Sequence, residues 1–132
     1  ANTGSTLHLI HPLGFELSDK RLRRAGLDYH EFADVAQYPD LAEFVETVQP
    51  RRLFGVSTRG ARRYDRVSYV EGDALLFGPE TRGLPRALLD KLPSDRVLRL
   101  PMRGGQRSLN LSNAVAVLLY EAWRQQDFAG GV

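Results

Sequence analysis

Two short apolar runs that each stop at a proline set the strongest limit on what this chain can fold into. Leu75-Leu76-Phe77 runs into Gly78-Pro79-Glu80-Thr81-Arg82-Gly83-Leu84-Pro85, and Val97-Leu98-Arg99-Leu100 runs into Pro101-Met102. Proline has no amide hydrogen and fixes its own φ, so neither run continues past it as a central strand. After the second run a glycine-containing loop, Met102 to Ser108, leads through Leu109-Asn110 into a long apolar helical stretch. Strand, turn, strand, loop and helix in this order is how α/β proteins present ligand-binding backbone at strand ends. The loops that follow the strands are the expected site.

The rest of the chain supplies further strands and helices. Thr6 to Ile10 reads as a strand ending at the loop His11-Pro12-Leu13-Gly14, with His8 and His11 as packing and loop residues. Ser18 caps a short predicted helix that ends at Gly26, with Leu17 and Leu22 as a staple; its Arg21, Arg23 and Arg24 suit either RNA or a solvated face. Asp28 to Ala33 reads as another short strand. Asp40-Leu41-Ala42-Glu43 is a capping box, and Leu41, Phe44, Val45 and Val48 place one face of the next helix toward the core until Pro50. Arg52 to Ser57 is a predicted strand, Ala74 to Phe77 a buried one, and Pro85 opens a short helix over Arg86-Ala87-Leu88-Leu89. From Leu111 onward Ala114, Val115, Leu118, Leu119 and Ala122 keep helical spacing, with Val117, Tyr120 and Trp123 widening the apolar face. A helix this apolar calls for burial on more than one side, by the sheet and by a second subunit.

Charge narrows the partners. The net charge is only +2, yet of the 18 basic residues only Lys20 and Lys91 are lysine. Arginine binds phosphate through two parallel hydrogen bonds and stacks on bases, a bias that suits RNA. Residues 51–66 hold six arginines against a single acid, Asp65, on what reads as a strand-end loop, and such a loop would attract phosphates. Without cysteine, and with His8, His11 and His30 lacking zinc-ligand spacing, no metal is expected. No run is long enough for a membrane span, and no signal peptide is visible, which makes cytoplasm the expected location. Gly55-Val56-Ser57-Thr58-Arg59-Gly60 is neither a nucleophile elbow nor a P-loop, and Gly-x-Gly-x-x-Gly is missing.

The Gly78-Pro79-Glu80 turn, Leu98-Arg99-Leu100-Pro101 and Ser108-Leu109-Asn110-Leu111-Ser112-Asn113, in that order, resemble the hallmark motifs of the SpoU branch of the SPOUT RNA methyltransferases. The likeness runs from Leu7 to Glu121-Ala122-Trp123-Arg124-Gln125 and is greatest to small enzymes that methylate the wobble ribose of tRNA. It implies one α/β domain over residues 1–132, with a mainly parallel sheet, helices on both faces and a C-terminal trefoil knot. It further implies S-adenosylmethionine as cofactor, the tRNA anticodon stem-loop as substrate, and a homodimer. Carried over by position, Val56, Gly78, Leu100 and Ser108 surround the cofactor, largely through main chain.

Glu80, Asn110 and Tyr120 are the candidate catalytic side chains. Glu80 could accept a proton, but a bridge to Arg82 or bonds to loop amides are equally consistent with its chemistry. Asn110 sits where amides cap helices, and the resemblance gives its counterpart a place in the active-site motif. Tyr120 suits contact with RNA, contact with a partner subunit, or interface packing. The N-terminal Ala1-Asn2-Thr3-Gly4-Ser5 matches an Asn-Thr-Gly that in the family follows a strand and a helix carrying a catalytic arginine. The resemblance therefore implies that these two elements and the arginine precede this numbering. A catalytically silent RNA-binding module is the rival reading.

Overall fold

The computed structural model describes residues 1–11, 35–79, 82–106 and 109–132, in two compact units, 1–49 and 50–132. The expected helix from Ser18 and strand from Asp28 fall outside the described residues, as do Glu80 and Ser108.

In the first unit β1 (Leu7–Ile10) pairs in parallel with β2 (Val35–Tyr38), Leu7 opposite Val35 and Ile10 opposite Tyr38. Helix α1 (Leu41–Val48) begins where the capping residues require. The Asp40 backbone is extended and its Oδ1 accepts from Glu43 N–H at 2.8 Å. The helix ends at Gln49, whose φ of 50° is left-handed and whose N–H bonds to Val45 C=O, just before Pro50. Its apolar face is narrower than the spacing predicts: Phe44 is buried, whereas Val45 stays 40% exposed. Phe44 meets Tyr38 and His8 edge-on, and His8 Nδ1 lies 3.1 Å from the Tyr38 hydroxyl. His8 is thus a packing residue, and burial holds its pKa below the usual histidine value.

The second unit is a four-stranded parallel sheet. In chain order it contains β3 (Arg52–Val56), β4 (Arg62–Arg63), β5 (Asp73–Phe77), α2 (Arg86–Lys91), β6 (Val97–Arg99) and α3 (Leu111–Gln125). The spatial order is β4-β6-β3-β5, so the last strand made lies between two made much earlier. Phe54, Val67, Tyr69, Leu98 and Leu118 form the core, with Val56, Phe77, Leu100 and Ala122 packed against it. Full burial of each such apolar side chain contributes about 1.5–3 kcal/mol. Of the apolar set on α3, Ala114 and Leu118 are buried, while Val117 and Tyr120 remain exposed.

Three expectations change. The strand read as buried, β5, is only half-buried along its length, and among the described residues it is an edge of this sheet. The segment read as an arginine-rich loop contains β4 and a 3-10 turn at Tyr64–Arg66. Its arginines also divide by role. Arg52 grips Asp73 through Nε at 2.9 Å and Nη2 at 2.6 Å, donates to Ser68 C=O, and lies over the Phe54 ring. Arg62 donates to the Asp95 and Arg66 carbonyls, and Arg63 pairs with Asp65. These three hold the chain to itself, so the run is not one undivided phosphate surface.

Candidate active site at the carboxyl ends of three strands

Parallel pairing brings the ends of β3, β5 and β6 side by side. Val56 stands opposite Phe77 on one side and opposite Leu98 on the other. Gly78 directly follows Phe77, and Leu100 follows the end of β6, so three of the four expected cofactor positions lie on neighbouring strand ends. Val56 and Leu100 pack against the core cluster. With their side chains turned to the core, the strand-end main chain and the turns are what a ligand could meet.

Glycine fixes how closely these turns approach. A Cβ on Gly60 would overlap the Leu98 carbonyl, 2.6 Å from its oxygen, and would sit 2.8 Å from Arg99 N. The turn after β3 therefore rests directly on the end of β6, and Ser57 N–H ties it there by donating to Leu98 C=O at 2.9 Å. At Gly78 a Cβ would strike the Gly83–Leu84 peptide, 2.6 Å from Gly83 O. The missing side chain of Gly78 thus makes room for the chain's own turn. That turn is closed by Gly83 N–H to Pro79 C=O at 2.8 Å, and Gly83 adopts a left-handed φ of 66°.

Asn110 is the N-cap of α3. Its Oδ1 accepts from Ser112 N–H at 3.0 Å, from the Ser112 hydroxyl at 2.6 Å and from Asn113 N–H at 3.4 Å. The side-chain NH2 has no partner among the described residues. Tyr120 lies elsewhere: at about 1.5 Å per helical residue it is roughly 15 Å along the axis from Asn110. It is 45% exposed and meets Trp123 edge-on. The two residues thus stand about three turns apart along one helix.

The far end of α3 is fastened by contacts that no periodicity announces. The Gln125 amide accepts from Tyr69 N–H and donates to Val67 C=O, each at 2.8 Å, and Gln126 donates to Tyr69 C=O at 3.0 Å. The Tyr69 hydroxyl donates to Tyr64 C=O, and burial, with Glu121 nearby, pushes its pKa well above the usual phenol value. Glu121 is held below the usual carboxylate range by the Arg124 guanidinium and the Gln125 amide. Tyr69 is thus a structural phenol and not a proton acceptor. In the sequence Gly60 is legible only as one residue of an arginine-rich loop, with no signal of its close approach to β6.

Among the described residues no three potential metal ligands cluster, and no helix is long and apolar enough to cross a membrane. S-adenosylmethionine asks for main-chain donors and acceptors at the edge of its adenine, which strand ends at Val56, Phe77-Gly78 and Leu98-Leu100 can provide.

Comparison with known proteins places the chain among relatives. The SpoU rRNA Methylase family matches residues 1–120. A tRNA (cytidine(34)-2'-O)-methyltransferase of Escherichia coli strain K12 is 55% identical over 132 residues, covering 100% of this chain and 84% of that protein. The protein of the same name from Saccharophagus degradans is 56% identical over 130 residues, covering 98% and 84%. Among solved structures, one described as giving structural insights into the 2-OH methylation of C/U34 on tRNA superposes with a TM-score of 0.82 at 48% identity, over 93% of this chain and 80% of that one. The SpoU methyltransferase AviRb from Streptomyces viridochromogenes, in complex with AdoMet, gives 0.78 at 26% identity, over 98% and 50%. A mainly parallel α/β architecture, an ordered set of strand-end turns and these likenesses lead to one assignment: the chain belongs to the SpoU rRNA methylase family.

Proposed function

We propose that this chain methylates the ribose 2′-hydroxyl of the wobble nucleotide of tRNA, with S-adenosylmethionine as methyl donor, and does so in the cytoplasm as a homodimer. The observation that carries the reading is the alignment of Val56, Phe77-Gly78 and Leu98-Leu100 on adjacent strand ends, in a chain more than half identical to tRNA (cytidine(34)-2'-O)-methyltransferases. Val56, Gly78 and Leu100 hold the cofactor through main chain, and Ser108, outside the described residues, is the fourth cofactor-binding position. When bound, the cofactor supplies a methyl group on a positively charged sulfur. Asn110 keeps its amide NH2 for the substrate while its oxygen caps α3. Glu80, also outside the described residues, is the carboxylate assigned to organise or deprotonate the acceptor.

The trefoil knot belongs to the same reading. Its support is the insertion of β6 between β3 and β4, with the Gly60 turn lying on Leu98. The homodimer is supported by the exposed apolar face of α3, Val117 and Tyr120 included. Tyr120, far along α3 from Asn110, serves the partner's site or the subunit seam.

The test is transfer of labelled methyl to tRNA that lacks wobble methylation, with digestion to the 2′-O-methyl nucleotide, alongside calorimetry with S-adenosylhomocysteine and sedimentation of the free protein. Label at the wobble ribose, cofactor heat and a dimer are expected. Cofactor and tRNA binding with no label would favour the silent RNA-binding module, and no cofactor heat at millimolar ligand would end the reading.

A further inference from the structure

We infer that Arg59 is the residue that grips a phosphate of the substrate strand beside the ribose that receives the methyl group. The inference deepens the methyl-transfer reading and rests on it. It begins with the division of the arginines between 51 and 66. Arg52, Arg62 and Arg63 are spent on Asp73, on main-chain carbonyls and on Asp65. Arg59 has no side-chain partner among the described residues and is exposed.

Its backbone is the opposite of loose. Arg59 N–H donates to Ser57 Oγ at 3.1 Å and Gly60 N–H to Ser57 C=O at 3.0 Å, which closes the turn. Ser57 N–H then bonds to Leu98 C=O, and buried Gly60 lies against the Leu98–Arg99 peptide. Both ends of the turn are therefore seated on β6, next to Leu100, while Thr58 and Arg59 at the tip face solvent. A guanidinium on so fixed a base loses only side-chain freedom when it meets a phosphate, and its planar fork suits two phosphate oxygens at once. Arg51 and Arg66 also lack a side-chain partner among the described residues, but Arg51 precedes the amino end of β3 and Arg66 lies beyond β4 on a 3-10 turn, so neither is on a strand-end turn of the site.

The experiment compares Arg59→Ala, Arg59→Lys and the charge-matched control Arg63→Ala in tRNA binding as a function of salt, in kinetics, and in affinity for S-adenosylhomocysteine. For Arg59→Ala the slope of log affinity against log salt should shrink by about 0.7, the contribution of one phosphate contact on single-stranded nucleic acid. KM for tRNA should rise about tenfold with cofactor affinity unchanged, Arg59→Lys should recover the slope but only part of KM, and Arg63→Ala should keep the wild-type slope. A wild-type slope in Arg59→Ala, or an equal loss in Arg63→Ala, would overturn the assignment. Wild-type protein that binds tRNA with a slope sensitive to Arg59 yet transfers no methyl would instead overturn the enzymatic reading alone.

Discussion

Replacing Gly60 by alanine tests the close seating of the β3 turn on β6. The new Cβ would lie 2.6 Å from Leu98 O and 2.8 Å from Arg99 N, with the Leu98 carbonyl carbon nearer still. Ordinary contact begins near 3.4 Å, so turn and strand must part by about 0.8 Å or more. Both neighbours are main chain, and no flexible side chain can swing aside. The same movement would stretch the Ser57 N–H to Leu98 C=O bond from 2.9 Å to about 3.7 Å, past hydrogen-bond range. Overpacking of this kind costs about 1–3 kcal/mol and the lost bond about 1 kcal/mol, against about 0.4–1 kcal/mol gained from a stiffer unfolded chain. The net loss is about 1–3.5 kcal/mol, or roughly 4–14 °C in Tm for a chain of this size. Gly104→Ala is the control, since among the described residues nothing lies within 4 Å of its added Cβ and its φ is not left-handed. It should be neutral or slightly stabilising. Urea unfolding followed by tryptophan fluorescence gives both free energies. A Gly60→Ala protein within 0.5 kcal/mol of wild type would refute the seating described for this turn.

Two further outcomes follow from packing and charge. Asp73→Ala leaves the Arg52 guanidinium without its carboxylate and Val70 N–H without its acceptor; because Arg52 is 27% exposed, the loss should be about 2–3 kcal/mol, at the lower end for a partly buried pair. An Arg52→Met/Asp73→Ala double variant that is no more stable than Asp73→Ala would contradict that account. His8 predicts a pH dependence. Burial holds its folded pKa below 6.5, so the unfolded chain takes up the proton first. Stability is then full above about pH 6.5 and falls as the pH drops toward the lower folded value. Urea midpoints at pH 7.5 and pH 5 should differ less in His8→Phe than in wild type, and equal differences would remove His8 from the explanation.

What could be read from the residues alone was local. Asp40 and Glu43 fix the start of α1 because a cap needs only residues three apart, and Pro50 and Pro101 mark stops because proline cannot continue the element before it. Asn110 as the cap of α3 is legible for the same reason. The misses are non-local. Arg62-Arg63 has no apolar alternation, yet it forms a strand because β6 arrives beside it, Arg62 opposite Leu98. The charge of the 51–66 run is plain in the sequence, but its division between the internal bonds of Arg52, Arg62 and Arg63 and the exposed Arg51, Arg59 and Arg66 depends on where Asp73, Asp95 and Ser68 come to rest. The bonds from Gln125 and Gln126 to the Val67–Tyr69 main chain join residues far apart in sequence, with no periodic trace. The strand-end positions Val56, Gly78 and Leu100 were expected together from the family likeness, and strand register brings them side by side; Glu80 and Ser108 lie outside the described residues.

The place of β6 bears on synthesis at the ribosome. Among the described residues Arg62-Arg63 pairs with no strand but β6, so as the chain emerges that edge must wait, with its amides and carbonyls open to water, until the later segment is made. Assembly by stepwise addition from the amino end is thus closed to this sheet, and its centre is filled last. Long-range closure of that sort is slow, which makes the nascent polypeptide dependent on the interval between translating Arg63 and releasing Val97.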